Sequence, residues 1–196
     1  RCCCGRSELT SCATATTPDP RWVLFPQELR IHKSMRSIFN NHKFRFTLDT
    51  AFREVITACS ETRRSGQEGS WITDAFVEGY TRLHEQGIAH SVEVWQNGAL
   101  AGGLYGLSLG RIFYGESMFS RVPNASKAGF IRLTQALERA GFLLIDCQQQ
   151  TAHLESLGAR GISRELFLEY LNNNVFERTL VGKWGFDEEN GVSLEK

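Results

Sequence analysis

At 196 residues and 22.1 kDa, the chain makes one ordinary domain or one domain with a small appendage, and folds without disulfide or metal staples. Hydrophobic residues at 41% and charged residues at 22% exclude disordered, collagen-like and coiled-coil chains. No apolar run reaches the ~18 residues of a membrane helix and no apolar signal core is present, so a soluble, cytoplasmic protein is expected.

A net charge of zero conceals an uneven distribution. Residues 21–64 hold nine Lys/Arg against four acids, and the chain from residue 65 holds eleven bases against sixteen acids. A basic front of this kind suits a polyanionic partner, but on its own is more simply read as a solvated surface with chance clustering.

The first seventeen residues, with Cys2, Cys3, Cys4 and Cys12, show no periodicity and no metal-ligand spacing, and read as a poorly ordered leader. From Pro18 the elements are clear. Trp22–Phe25 is a short apolar strand stopped by Pro26, Gln27–Ile31 is extended, and Ser34 caps a short helix through Phe39. Lys43–Leu48 alternates as a half-buried strand. Ala51, Val55, Ile56 and Cys59 mark an amphipathic helix. After a polar loop, Thr73 caps a second helix with Phe76, Val77, Tyr80 and Leu83 inward and Gly87 at its end. Ala89–Trp95 and Ala99–Ser108 form a hairpin about Asn97-Gly98, and Arg111–Tyr114 extends it. Asn124 or Ser126 opens a helix carrying Phe130, Leu133, Leu137 and Ala140. Phe142–Cys147 reads as a buried strand, His153–Leu157 as a short helical turn, and Ser163 as the cap of a last helix. The polar tail beyond Asn172 is unassigned. The order predicts a mixed α/β domain whose largely antiparallel sheet is covered by helices.

Two stretches carry chemistry. In Gly115-Glu116-Ser117-Met118-Phe119-Ser120 a carboxylate sits among apolar groups at a strand end. Burial there raises its pKa and suits it to bind an amine or take a proton, although a surface pair with Arg121 fits the spacing equally well. In Ile145-Asp146-Cys147-Gln148, the acid and the amide share one face while Cys147 points away. Buried polar groups at a strand tip need partners, so the Gln carbonyl can accept from an attacking amine while Asp146 fixes the amide. No Gly-x-Ser-x-Gly elbow surrounds Ser117 and the five histidines lack ligand spacing, so neither a nucleophilic serine nor a metal or other cofactor is expected.

Taken together, the motifs resemble those of the bacterial leucyl/phenylalanyl-tRNA–protein transferases. The matching stretches are Pro18-Asp19-Pro20-Arg21, His32-Lys33-Ser34-Met35-Arg36, Ser70-Trp71-Ile72-Thr73, Ala89–Trp95, Gly102-Gly103-Leu104-Tyr105-Gly106, Gly115–Ser120 with Ala125-Ser126-Lys127, Ile145–Gln148 and Ser156-Leu157-Gly158-Ala159-Arg160. The resemblance implies an acetyltransferase-like (GNAT) α+β catalytic domain over 21–196, with 1–20 the degenerate remnant of a small N-terminal domain. It implies transfer of Leu or Phe from aminoacyl-tRNA to acceptor proteins beginning with Lys or Arg, which marks them for degradation, by a monomer without membrane contact. Two alternatives stand beside it: an impaired aminoacyl-tRNA-binding remnant, and a peptidoglycan-type aminoacyl ligase.

In this scheme Gln148 receives the amine, Asp146 holds Gln148, and Glu116 contacts the amine or the acceptor's cationic side chain. By the resemblance, Leu104, Met118 and Ile145, backed by Leu133 and Phe130, form a pocket for the Leu or Phe side chain; without it the same five read as ordinary core. Trp71 stacks on the terminal adenosine or packs at a helix start. Arg21, Lys33, Arg36 and Lys43 contact tRNA phosphates. The chain departs from the family's pattern at Ala15-Thr16-Thr17, where a Trp-Trp-Ser stretch is usual, and at Ser37 and Asn40, where further basic residues are usual.

Overall fold

The computed structural model describes residues 18–62 and 72–194; the leader with its four cysteines and Trp71 lie outside them. β1 (Arg21–Leu24) ends before Pro26, which opens a 3-10 turn over Pro26–Glu28 where extended chain was expected. α1 (Lys33–Asn40) starts from His32 with no side-chain cap, so Ser34 lies inside the helix rather than capping it. β2 (Arg45–Leu48) and α2 (Phe52–Glu61) follow, then α3 (Asp74–Glu85), where Thr73 Oγ1 accepts the Phe76 N–H at 3.3 Å as predicted.

β3 (Ala89–Gln96) and β4 (Ala99–Leu109) form the predicted hairpin, with Asn97 and Gly98 both at positive φ as a two-residue primed turn requires. β5 (Ile112–Ser120) runs six residues past the Tyr114 end expected from its pattern. α4 (Ala125–Arg139) begins at a left-handed Asn124 (φ 70°) that makes no side-chain cap; Ser120 Oγ accepts the Ser126 N–H instead. β6 (Leu144–Gln148), α5 (Ala152–Ser156), β7 (Arg160–Ile162) and α6 (Arg164–Asn174) complete the main body. The tail adds a hairpin missing from the sequence reading, β8 (Trp184–Asp187) and β9 (Gly191–Leu194).

The main sheet has the order β2-β3-β4-β5-β6-β1-β7, antiparallel at every junction except the parallel β5–β6 pair. The expected class, a largely antiparallel sheet flanked by helices, is what the chain forms. Gly102 and Gly103 show how closely the helices sit. A Cβ on Gly102 would lie 2.8 Å from Ala125 Cβ of α4, and one on Gly103 would lie 3.2 Å from Val55 Cγ2 of α2, on the opposite face.

The α4 face holds the largest apolar cluster, including Val92, Leu104, Phe113, Leu133 and Ile145. The other face carries two separate clusters, one under α2 and α3 around Val55, Tyr105 and Phe119, and one under α6 around Ile112, Leu144 and Phe167. The seam between those two clusters is where the sheet opens.

The tail is anchored by a buried carboxylate. Asp49 accepts from the backbone N–H groups of Ser91 and Trp184 and from His90 Nδ1, each at 2.8 Å. The Trp184 ring, fully buried, stacks on His90 with centroids 3.6 Å apart. Among the described residues no helix is long and apolar enough to cross a membrane.

Candidate active site

Two irregularities in the sheet build the site. The parallel pairing of β5 with β6 stops at Tyr114 opposite Asp146, although β5 continues to Ser120 and β6 to Gln148, so the strands part beyond that point. On its other edge β5 is bulged: Gly115 faces Gly106 and Ser117 faces Tyr105, leaving Glu116 as the extra residue. A bulge bends its strand and re-aims a side chain. Here it also exchanges the faces of β5, since Phe113 before it and Met118 after it both meet the α4 cluster. Glu116 thus lies within β5 rather than at its end, beside the opening between strands.

Gln148 closes the opposite wall. Its backbone is left-handed (φ 62°), an uncommon conformation for a residue with a Cβ. Asp146 Oδ1 accepts the Gln148 backbone N–H at 3.0 Å, while the Gln148 side-chain amide donates to the Gly115 carbonyl at 3.0 Å. The Glu116 carboxylate faces this amide and the Tyr80 hydroxyl of α3, and both act on its titration. With the nitrogen end of the amide occupied, Oε1 is the end left to accept a proton donor.

Asp146 holds Gln148 by its main chain, not by its side-chain amide as the spacing suggested. Its own charge is met by Arg21, whose Nε and Nη2 donate to the two carboxylate oxygens at 2.8 and 2.7 Å. Asp146 is fully buried and Arg21 17% exposed, with its guanidinium over the Phe167 ring. This fork geometry is the strong, directional form of an ion pair. Arg21 was expected on the phosphate-contacting front; it is committed instead to holding Asp146, because β1 pairs with β6 and brings the two side chains together.

Burial raises the Glu116 pKa above its ordinary value, opposed by the hydrogen bonds from Gln148 and Tyr80. Burial and the Glu116 charge raise the Tyr80 hydroxyl in turn. The Tyr114 hydroxyl is pushed up to about 12 by burial and the neighbouring Asp146. Cys147, on the opposite side with the α4 cluster, is pushed up to about 12 by burial, so it stays a thiol. The site therefore offers a carboxylate poised toward protonation, an amide carbonyl with fixed direction, and no activated nucleophile.

The five apolar residues come together, but inside the main core. Leu104, Ile145, Leu133 and Phe130 are buried in the α4 cluster, and Met118 is the partly exposed member packed against it. Lys33 and Arg36 are exposed on α1 around the buried Met35, and Lys43 is exposed at the start of the β2 region. Tyr80 was read as an inward core residue of α3; nothing in its helical spacing distinguishes its hydroxyl from its ring.

Comparison with known proteins places the chain in a family. Residues 23–172 match the family described as leucyl/phenylalanyl-tRNA protein transferase. The chain is 54% identical over 159 residues to the leucyl/phenylalanyl-tRNA–protein transferase of Pseudomonas fluorescens, covering 81% of this chain and 70% of that one. It is 55% identical over 168 residues to the protein of the same name from Stutzerimonas stutzeri, covering 86% and 74%. Among solved structures, L-PGS from Bacillus licheniformis aligns with a TM-score of 0.44 at 12% identity, over 79% of this chain and 51% of that one. A GCN5-related N-acetyltransferase from Kribbella flavida aligns at 0.43 and 10%, over 74% and 55%.

Proposed function

The chain belongs to the leucyl/phenylalanyl-tRNA–protein transferase family and is an aminoacyltransferase, and we propose that it moves Leu or Phe from tRNA to proteins whose N-terminal residue is Lys or Arg. The observation that carries the reading is the bulged Glu116 of β5 beside Gln148, which Asp146 and the Gly115 carbonyl hold where β5 and β6 part.

The donor ester is already activated, so the residues need to position two reactants and handle one proton. The acceptor's α-amine approaches the gap and donates to Gln148 Oε1. Its lone pair attacks the ester carbonyl; the new C–N bond forms and the bond to the tRNA 3′-oxygen breaks. Glu116, whose pKa burial raises above the ordinary carboxylate value, takes the amine proton and returns it to the leaving 3′-oxygen. Asp146 and Arg21 keep the Gln148 main chain in place throughout. Met118, the partly exposed member of the apolar group, is the side chain whose flexibility admits both Leu and Phe. Lys33, Arg36 and Lys43 face the tRNA phosphates.

The test is transfer of radiolabelled Leu from tRNA to two peptides that differ only in their first residue. The Arg-initiated peptide is labelled and the Ser-initiated one is not; equal labelling refutes the acceptor assignment.

A further inference from the structure

A concave site lies at the far end of β5. It is a cleft of about 420 Å3 lined by Ser120, Arg121, Asn124, Ser126, Lys127 and His153, and no residue of its lining carries a carboxylate. Lys127 spends one of its three ammonium hydrogens on Ser156 Oγ at 3.0 Å. Arg121 is exposed, lies over the Phe119 ring, and reaches the Leu100 carbonyl only at 3.5 Å, which leaves most of its fork unused. The positive end of α4 points at the same space and adds to the field of the two cations. His153 Nε2 is buried with no hydrogen-bond partner among the described residues, and burial and the adjacent Lys127 push its pKa down.

The cleft is joined to the sites already described on both sides. Ser120 is four residues beyond Glu116 on the same strand, about 13 Å at ~3.3 Å per residue. On the other side, Ser156 connects Lys127 to the start of α1: its hydroxyl takes the Lys127 ammonium, and its carbonyl lies 2.7 Å from His32 Nε2, next to Lys33 and Arg36. Ser156 thus links the cations of α1 to those of the cleft, which lies about 13 Å along β5 from Glu116.

We infer that this cleft binds phosphodiester groups of the donor's single-stranded 3′ end, with Lys127 and Arg121 as the contacting cations. The assignment rests on the reading that the donor is an aminoacyl-tRNA, and gives that donor a path from α1 to the gap between β5 and β6.

Binding of a 5′-phosphorylated CCA trinucleotide to the full chain tests it without turnover. Lys127→Met and Arg121→Gln each weaken binding about tenfold at low ionic strength, as expected for a lost charge-assisted contact. Each also reduces the slope of log K against log salt by about 0.7, and Lys127→Arg restores both. An unchanged slope in both variants overturns the assignment, even if affinity falls, because structural damage weakens binding without altering the count of neutralised phosphates. Wild-type protein that does not bind the trinucleotide also overturns it. Because no transfer is measured, a chain that binds through these residues but labels no peptide keeps this site and loses the function proposed above.

Discussion

Glu116 sits under two opposed influences, burial that disfavours its charge and hydrogen bonds from Gln148 and Tyr80 that favour it. Burial is the larger, so the native state holds this proton more tightly than the unfolded chain. The resulting cost to stability is absent below the ordinary value of 4.5 and grows as pH rises through the raised pKa. Glu116→Gln is therefore expected to raise the melting temperature at neutral pH, with the gain vanishing in acid, while transfer is lost. Tyr80→Phe keeps the ring stacked on Phe76 and removes only the donor. Its expected effect is an acidic limb of the kcat/KM profile displaced to higher pH; an unmoved limb separates Tyr80 from the chemistry. Gln148→Ala leaves the backbone N–H on Asp146 and deletes the amide, so transfer falls about 10²-fold in kcat with tRNA affinity kept, as for loss of positioning.

Among the elements, the neighbours of β6 decide whether the gap exists. β1 supplies Arg21, and Arg21→Met leaves the fully buried Asp146 charge without its partner. The expected loss is about 3–5 kcal/mol in urea unfolding, well beyond the contribution of an exposed pair. The short motif Ile145-Asp146-Cys147-Gln148 was legible as a functional strand tip because polar residues ending an apolar run are costly. Its pairing was not legible, since Arg21 lies 125 residues away and only the β1–β6 register brings it near. The same holds for β5. Local sequence marked Glu116 as notable, but the pairing of Gly115 and Ser117 with consecutive residues of β4 decides that it is the surplus member. The capped helices α3 and α6 were readable because Thr73 and Ser163 act within three residues; α4 does start after Asn124, one of the two residues expected to open it, but from a left-handed backbone and without a side-chain cap.

For the whole molecule, the tail matters more than its polar composition suggests. Trp184, Phe186, Val192 and Leu194 alternate over strands too short to stand out, yet Trp184 is fully buried and its N–H ends on Asp49. Asp49→Ala strands that N–H, the Ser91 N–H and His90 Nδ1 at once, and at about 1–3 kcal/mol for each buried group left unpaired it lowers the urea midpoint of the entire domain. A transition confined to the tail would show instead that the hairpin unfolds alone. The bulge in β5 has a different bearing on the molecule. Taking Glu116 out altogether, rather than replacing it, would let Ser117 follow Gly115 against Tyr105 and Gly106 in uninterrupted ladder, with every later side chain still on its own side. The carboxylate occupies an insertion that the architecture does not need, so a one-residue excision is expected to yield a folded protein stripped of its chemistry.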